Sequence, residues 1–393
     1  MKTLNKFLPK AEFDLRMEKI RKAMAKNNLD AVVLSTNVSL YYATGHILAG
    51  YVYIPLNGKT WIFVRRPLGI EADNVVYIKK PEQIPALLEE RGIAKAESIS
   101  YEMGRANYLD VMRLVKAFGV EKYSDCTALM NEVRSVKTEW EVKKLRESGV
   151  RHVMAYRRFS GIYKEGMTDS EYQIELERIL RLDGCLGQFR IAGDSMELFM
   201  GSLLAGDNAD TPSPYDFAMG GEGMDSSLPV GCNGSIIRPG NTVMVDMNGN
   251  FTGYMTDMTR SYYVNRLDPR AKEAHELSIA IHKALVDFIK PGVGAKDAYD
   301  LAHKMVEEAG FADNFMGHAQ KAGFIGHGVG IEVNEWPVLA PRSRQIFEAG
   351  NVIAIEPKFV IPGVGAVGIE NTYLVTDKGL DNLTPLEEEI LEL

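Results

Sequence analysis

Cysteine is scarce in this chain: Cys126, Cys185 and Cys232 stand far apart and odd in number among 393 residues. That pattern argues against a disulfide framework and for reduced, buried thiols, as expected in the cytoplasm. None has a histidine neighbour in a nucleophile motif, which argues against thiol catalysis. Long apolar runs are missing as well. No stretch of about 18 apolar residues suggests a membrane span, and the polar N-terminal residues lack the apolar core of a signal peptide. Blocks of Lys and Arg are absent and the net charge is −8, so nothing supplies a surface for nucleic acid. No glycine-rich loop ends in Lys-Ser/Thr, as a phosphate-binding loop would require.

What is present describes a globular protein of two domains. Hydrophobic residues make up 46% of the chain and charged residues 25%, and this length exceeds one compact core. Residues 11–28 carry Phe13, Met17, Ile20 and Met24 at helical spacing. The run Ala31-Val32-Val33-Leu34 reads as a buried strand, with further strands at 52–55 and 61–64 and helices near 82–91 and 107–118. This predicts an α/β domain over residues 1–133. The charged stretch 134–146 predicts a long helix opening a second domain over residues 134–393.

The second domain repeats itself. Ile162-Tyr163-Lys164-Glu165-Gly166-Met167-Thr168 answers Phe288-Ile289-Lys290-Pro291-Gly292-Val293-Gly294. Pro239-Gly240-Asn241-Thr242-Val243-Met244-Val245-Asp246 answers Ala349-Gly350-Asn351-Val352-Ile353-Ala354-Ile355-Glu356. A second acid follows each strand-ending acid, Asp257 in the first half and Glu370 in the second. Turn residues between them (Asn248-Gly249-Asn250 and Pro362-Gly363-Val364-Gly365) predict two hairpins that set the acids of each pair side by side. Four gathered carboxylates need cations, since one like-charged pair at 4 Å costs roughly 4 kcal/mol at an effective dielectric of about 20. Oxygen-rich donors joined by one imidazole, His327, suit Mn, Co, Zn or Fe. The expectation is two divalent ions, with Mn favoured. His152, His275, His282 and His303 fall in charged helical stretches and are expected to be solvated; His318 is left open.

These residues resemble the pita-bread metallopeptidases, which include methionine aminopeptidase, aminopeptidase P and prolidase. The matching stretches are Val245-Asp246 through Asp257-Met258-Thr259-Arg260, Gly326-His327-Gly328-Val329-Gly330-Ile331-Glu332, Ile355-Glu356-Pro357 and Gly368-Ile369-Glu370-Asn371-Thr372. Asn37 through Tyr42-Ala43-Thr44-Gly45 is similar to the creatinase/prolidase-type N-terminal domain. The resemblance implies an α/β N-terminal domain joined to an α+β pita-bread domain with an internal pseudo-two-fold repeat. It also implies ligand roles: Asp246 on one metal, His327 and Glu356 on the other, and Asp257 and Glu370 bridging. Glu356 is in addition the expected proton shuttle.

Three pocket histidines of the proline-specific relatives are replaced, by Val230, Asn334 and Gly323, and an arginine two residues before the last acid is replaced by Gly368. Asn334 retains an amide able to donate a hydrogen bond, and His46 is a candidate imidazole reaching a partner subunit's site. Arg190, within the glycine-rich segments 190–194, 206–208 and 220–223, is a candidate for pairing with a substrate carboxylate. The reading is a cytoplasmic, homodimeric, metal-dependent hydrolase of a peptide or amide bond in a small substrate, of the Xaa-Pro dipeptidase or aminopeptidase P kind. The alternative is a dimetal enzyme of the same fold acting on a non-peptide small molecule, amidinohydrolase- or lyase-like.

Overall fold

The computed structural model of the chain describes residues 2–3, 8–193 and 199–393. It comprises two units, Met1–Arg134 and Ser135–Leu393.

In the first unit, β1 (Lys2–Thr3) precedes helix α1 (Lys10–Lys26), which buries Met17, Ile20 and Met24 along one face. The apolar run at 31 forms β2 (Ala31–Leu34), buried at every position. Thr36 then caps helix α2 (Asn37–Thr44), and Gly45 ends it in the left-handed region at φ 72°. Strands β3 (Ala49–Pro55), β4 (Trp61–Arg66), β5 (Ile70–Glu71) and β6 (Val75–Tyr77) follow. After helix α3 (Ile84–Glu89) come β7 (Ser98–Tyr101), α4 (Tyr108–Phe118) and β8 (Lys122–Asp125). The main sheet runs β6-β4-β3-β2-β7-β8, with β2 antiparallel to β3 and parallel to β7. Helix α5 (Thr127–Ser135) carries the chain to the second unit.

The charged stretch at 134–146 enters its helix later than expected. Thr138 and Glu141 form a reciprocal capping box at the start of α6 (Glu139–Tyr156). Helix α7 (Asp169–Leu182), with a second capping box, leads to β9 (Gly201–Ala205) and the long hairpin β10 (Thr242–Asn250) and β11 (Met255–Tyr263). Helices α8 (Pro269–Phe288) and α9 (Ala295–Glu308) open the second half. Strands β12 (Gly326–Gly328), β13 (Glu335–Val338) and β14 (Val352–Ile355) follow, then β15 (Lys358–Ile361) and β16 (Gly365–Gly368). The chain closes with β17 (Asn371–Thr376), β18 (Gly379–Asn382) and β19 (Leu391–Glu392). One sheet is ordered β19-β11-β10-β9 and the other β13-β12-β14-β17-β18, while β15 and β16 pair separately.

The repeat read from sequence is structural. Thr168, capping α7, bridges to Ile236, and Gly294, capping α9, bridges to Ile346. Ile236 and Ile346 lie at the same interval before Asp246 and Glu356, so each half ties its second helix to its inner strand alike. Tyr156 and His282 are a further equivalent pair. The Tyr156 hydroxyl accepts from Met247 N at 3.0 Å and donates to Met258 O in the first hairpin. His282 Nε2 lies 3.0 Å from Ile369 O in the second.

Three expectations need correction. His152, His275 and His282 are buried rather than solvated. They lie on the helix faces that cover the hairpins, and charged neighbours in sequence occupy the opposite faces. The first hairpin turns at residues 251–254, after Asn250 pairs with Met255, not at Asn248-Gly249-Asn250. Its acids are therefore diagonal: Asp246 faces Thr259 and Asp257 faces Asn248. In the second half Ile355 faces Asn371 and Lys358 faces Gly368, a register that sets Glu356 opposite Glu370 as expected.

Candidate metal centre

The inner ends of the two hairpins bring Asp246, Asp257, Glu356 and Glu370 together with His327. Among the described residues, two triads have ligand atoms within 4.8 Å of one another: Asp257, His327 and Glu370, and Asp246, Glu356 and Glu370. Glu370 belongs to both. Asp257, Glu356 and Glu370 are buried, whereas the Asp246 side chain is 23% exposed and forms the open side of the cluster.

The ligand candidates are held by neighbouring strands. Asp257 is fixed through its backbone, because Thr372 Oγ1 accepts from Asp257 N at 2.8 Å and donates to Asp257 O at 2.9 Å. Thr259 Oγ1 donates to Glu370 Oε2 at 2.8 Å, and the Thr259 and Glu370 backbones form an isolated bridge between the hairpins. The buried Arg260 guanidinium locks this junction by donating to Thr259 O, Glu370 O and Asn371 Oδ1. His327 Nδ1 lies 3.1 Å from Gly328 O, which leaves Nε2 facing Glu356 Oε1 at 3.3 Å and Asp257 Oδ2 at 4.0 Å. Gly328 permits this crowding, since a Cβ there would lie 2.1 Å from Trp336 O.

One further group enters the cluster. Lys358, fully buried, places Nζ 2.7 Å from Asp246 Oδ2, 2.6 Å from Glu356 Oε2 and 3.3 Å from Glu370 Oε2. The signal for it was present in Glu356-Pro357-Lys358: alternate residues of an extended chain share a face, so position 358 points where 356 points. A lone cation before the apolar Phe359-Val360-Ile361 is otherwise costly to bury.

The electrostatics show a cluster in demand of positive charge. Burial and then the neighbouring Glu370, Asp246 and Glu356 push Asp257 well above the usual carboxylate range. Burial also drives Glu370 up, to about 8, against the pull of Lys358. Burial would raise Glu356 too, but Lys358 and His327 overcome it and hold it at about 2. For His327, burial pulls downward, and Glu356 and Glu370 carry it up to about 9. Burial likewise disfavours charge on Lys358, yet Asp246, Glu356 and Glu370 lift it well above its ordinary value.

The residues fit a metal ion at one pole. Asp257 Oδ1 and Glu370 Oε1 are buried without a hydrogen-bond donor among the described residues, a costly state that a cation beside His327 relieves. At the other pole, the Lys358 ammonium already satisfies the oxygens.

Asn334 engages a loop: its Oδ1 accepts from Ala192 N and its Nδ2 donates to Ala192 O, each at 2.7 Å, pinning the loop at 192. Arg190 braces the same loop, donating to Ile331 O and Gln188 Oε1. Asp194, the last residue of the 190–194 segment, lies outside the described residues. Val230 is buried, and Gly323 has open space about it. His46 belongs to the first unit, just past α2, where Thr44 Oγ1 accepts from its backbone N–H. His318 is exposed and pairs with Asp210. Among the described residues, no helix is long and apolar enough to cross a membrane.

Comparison with known proteins places this geometry. The pattern of metallopeptidase family M24 matches residues 143–377, and that of the creatinase/prolidase N-terminal domain matches residues 16–136. A Xaa-Pro dipeptidase of Pyrococcus furiosus is 27% identical over 383 residues, covering 96% of this chain and 99% of that protein. Among solved structures, a Xaa-Pro dipeptidase from Bacillus anthracis superposes with a TM-score of 0.79 at 22% identity, covering 97% of this chain and all of the other. The prolidase of Pyrococcus horikoshii gives 0.76 at 23% identity, covering 96% and 99%. The structural likenesses show the two-part fold, a creatinase-type domain followed by a pita-bread domain. The relatives favour peptide-bond hydrolysis over the non-peptide alternative. The chain belongs to metallopeptidase family M24, and its activity is that of a peptide-bond hydrolase.

Proposed function

We propose that this chain is a Xaa-Pro dipeptidase or aminopeptidase P-like enzyme, working as a cytoplasmic homodimer with manganese. The carrying observation is the buried meeting of Asp257 and Glu370 with His327, beside a second triad of Asp246, Glu356 and Glu370, with Asp257 Oδ1 and Glu370 Oε1 lacking donors among the described residues. The names of the relatives, Xaa-Pro dipeptidases in Pyrococcus furiosus and Pyrococcus horikoshii, support the substrate class. Oxygen donors with a single imidazole suit manganese.

Asp257, His327 and Glu370 are the residues that would hold the ion in this reading. When bound, a divalent ion supplies acidified water and polarises the scissile carbonyl. Glu356, kept ionised by Lys358 and His327, is the base that takes the proton and returns it to the leaving amine. Asp246, on the open side, borders the approach of the substrate. The loop pinned through Asn334 and Ala192 frames the site beside the His327 segment.

The test is hydrolysis of Ala-Pro, Ala-Ala and Ala-Pro-Ala by protein stripped with chelator and reloaded with Mn, Co or Zn. Metal-dependent cleavage of the prolyl peptides above Ala-Ala is expected. Failure to cleave any of the three under every loading would overturn the reading.

A further inference from the structure

We propose that Lys358 is a resident cation of the centre: its ammonium fills the pole of Asp246, Glu356 and Glu370, and the chain holds one divalent ion, at the pole of Asp257, His327 and Glu370, rather than two. The inference rests on the metal-dependent reading above and departs from the two divalent ions expected from sequence.

Geometry carries it. Of the two triads able to hold a metal, Lys358 Nζ reaches all three members of one, at 2.7, 2.6 and 3.3 Å. An ammonium has three donors, and here each meets a carboxylate oxygen. A divalent ion held by those same oxygens would have to sit against the Nζ ammonium, positive charge beside positive charge. Lysine and ion are therefore alternatives at this pole.

The lysine is enclosed on all sides. It is buried completely, and its backbone N–H and C=O both meet Met316. The strand across from it is cleared for its stem: Gly368 pairs with Lys358, and a Cβ on Gly368 would lie 3.0 Å from Lys358 Cα and 3.3 Å from its Cγ. The other pole differs in kind. Asp257 Oδ1 and Glu370 Oε1, without a donor among the described residues, belong to acids grouped with an imidazole whose Nε2 faces Glu356 and Asp257. One pole is thus completed by the chain, and the other is completed only by an added cation.

The full chain, dialysed against manganese chloride and freed of excess, is measured by elemental analysis and by electron paramagnetic resonance. One ion per chain with an uncoupled six-line signal is expected. Lys358→Ala should take up a second ion and show an exchange-coupled spectrum, while Lys358→Arg should stay at one. Two ions in the unsubstituted protein, with prolyl peptides cleaved, overturn this inference and leave the function standing. A folded Lys358→Ala protein that still binds a single ion overturns it too. Should Lys358→Ala not fold, the spectrum of the unsubstituted protein decides alone. No retained ion and no metal-dependent cleavage remove the function and this inference together.

Discussion

Two residues past Asp246 and Glu356, the first acid of each hairpin, the first half of the C-terminal unit carries Asn248 and the second carries Lys358. Asn248 is fully buried and donates through Nδ2 to Gln188 O at 3.2 Å. Lys358 turns into the acids. The hairpins around them differ as well, with Asp246 and Asp257 diagonal in the first and Glu356 and Glu370 opposed in the second. A duplicated scaffold has therefore kept its acids and its helix ties while the residue between the acids diverged. Symmetry of fold does not impose symmetry of charge, because backbone pairing fixes where a side chain starts and says nothing of what it carries.

The largest test of this comparison sets one acid of each half against the other. Asp257→Asn and Glu370→Gln should each lower metal-dependent turnover at least about a hundredfold, with circular dichroism unchanged. Full activity in either would break the view that both halves serve one centre.

Next comes acid stability, where each half buries a histidine against its hairpin. His152 Nδ1 lies 3.0 Å from Thr256 Oγ1, and His282 contacts Ile369 O. Burial holds both at about 3. The native state keeps them neutral while the unfolded chain protonates them below its ordinary value near 6.5. Stability is therefore lost as pH falls from about 6.5 toward 3, by roughly 1.4 kcal/mol per pH unit for each histidine. Urea titrations between pH 7 and 4.5, in chelator, should show a slope that His152→Gln reduces by about that amount. An unchanged slope would remove His152 from the account.

Gly368→Ala probes the space made for the lysine. At φ 145° and facing Lys358, the added methyl should destabilise by about 1–3 kcal/mol in urea unfolding. A neutral result would mean that the second hairpin is not shaped around Lys358. The smallest effects are expected beyond the centre. Asn334→Ala should raise KM several-fold by freeing the loop at Ala192. His46→Ala should lower kcat with little change in dimer stability if its imidazole acts in trans, and an unaltered kcat would return it to an ordinary loop residue.

The sequence alone determined what repeats and local chemistry can encode. Paired Gly-Asn turns, apolar runs ending in acids and the glycines around His327 named all five candidate ligands and the family fold. Tertiary structure decided what depends on register and on faces. Whether Asp246 meets Asp257 directly or diagonally follows from where the turn falls, and a shift of a few residues leaves the sequence pattern looking the same. His152, His275 and His282 sit among charged neighbours in the chain, and only helix packing shows that their faces turn inward. Lys358 was visible as a letter beside Glu356. Its seat among three carboxylates became evident only when two distant hairpins closed around it, because charge interactions depend on distances in space that the order of residues does not contain.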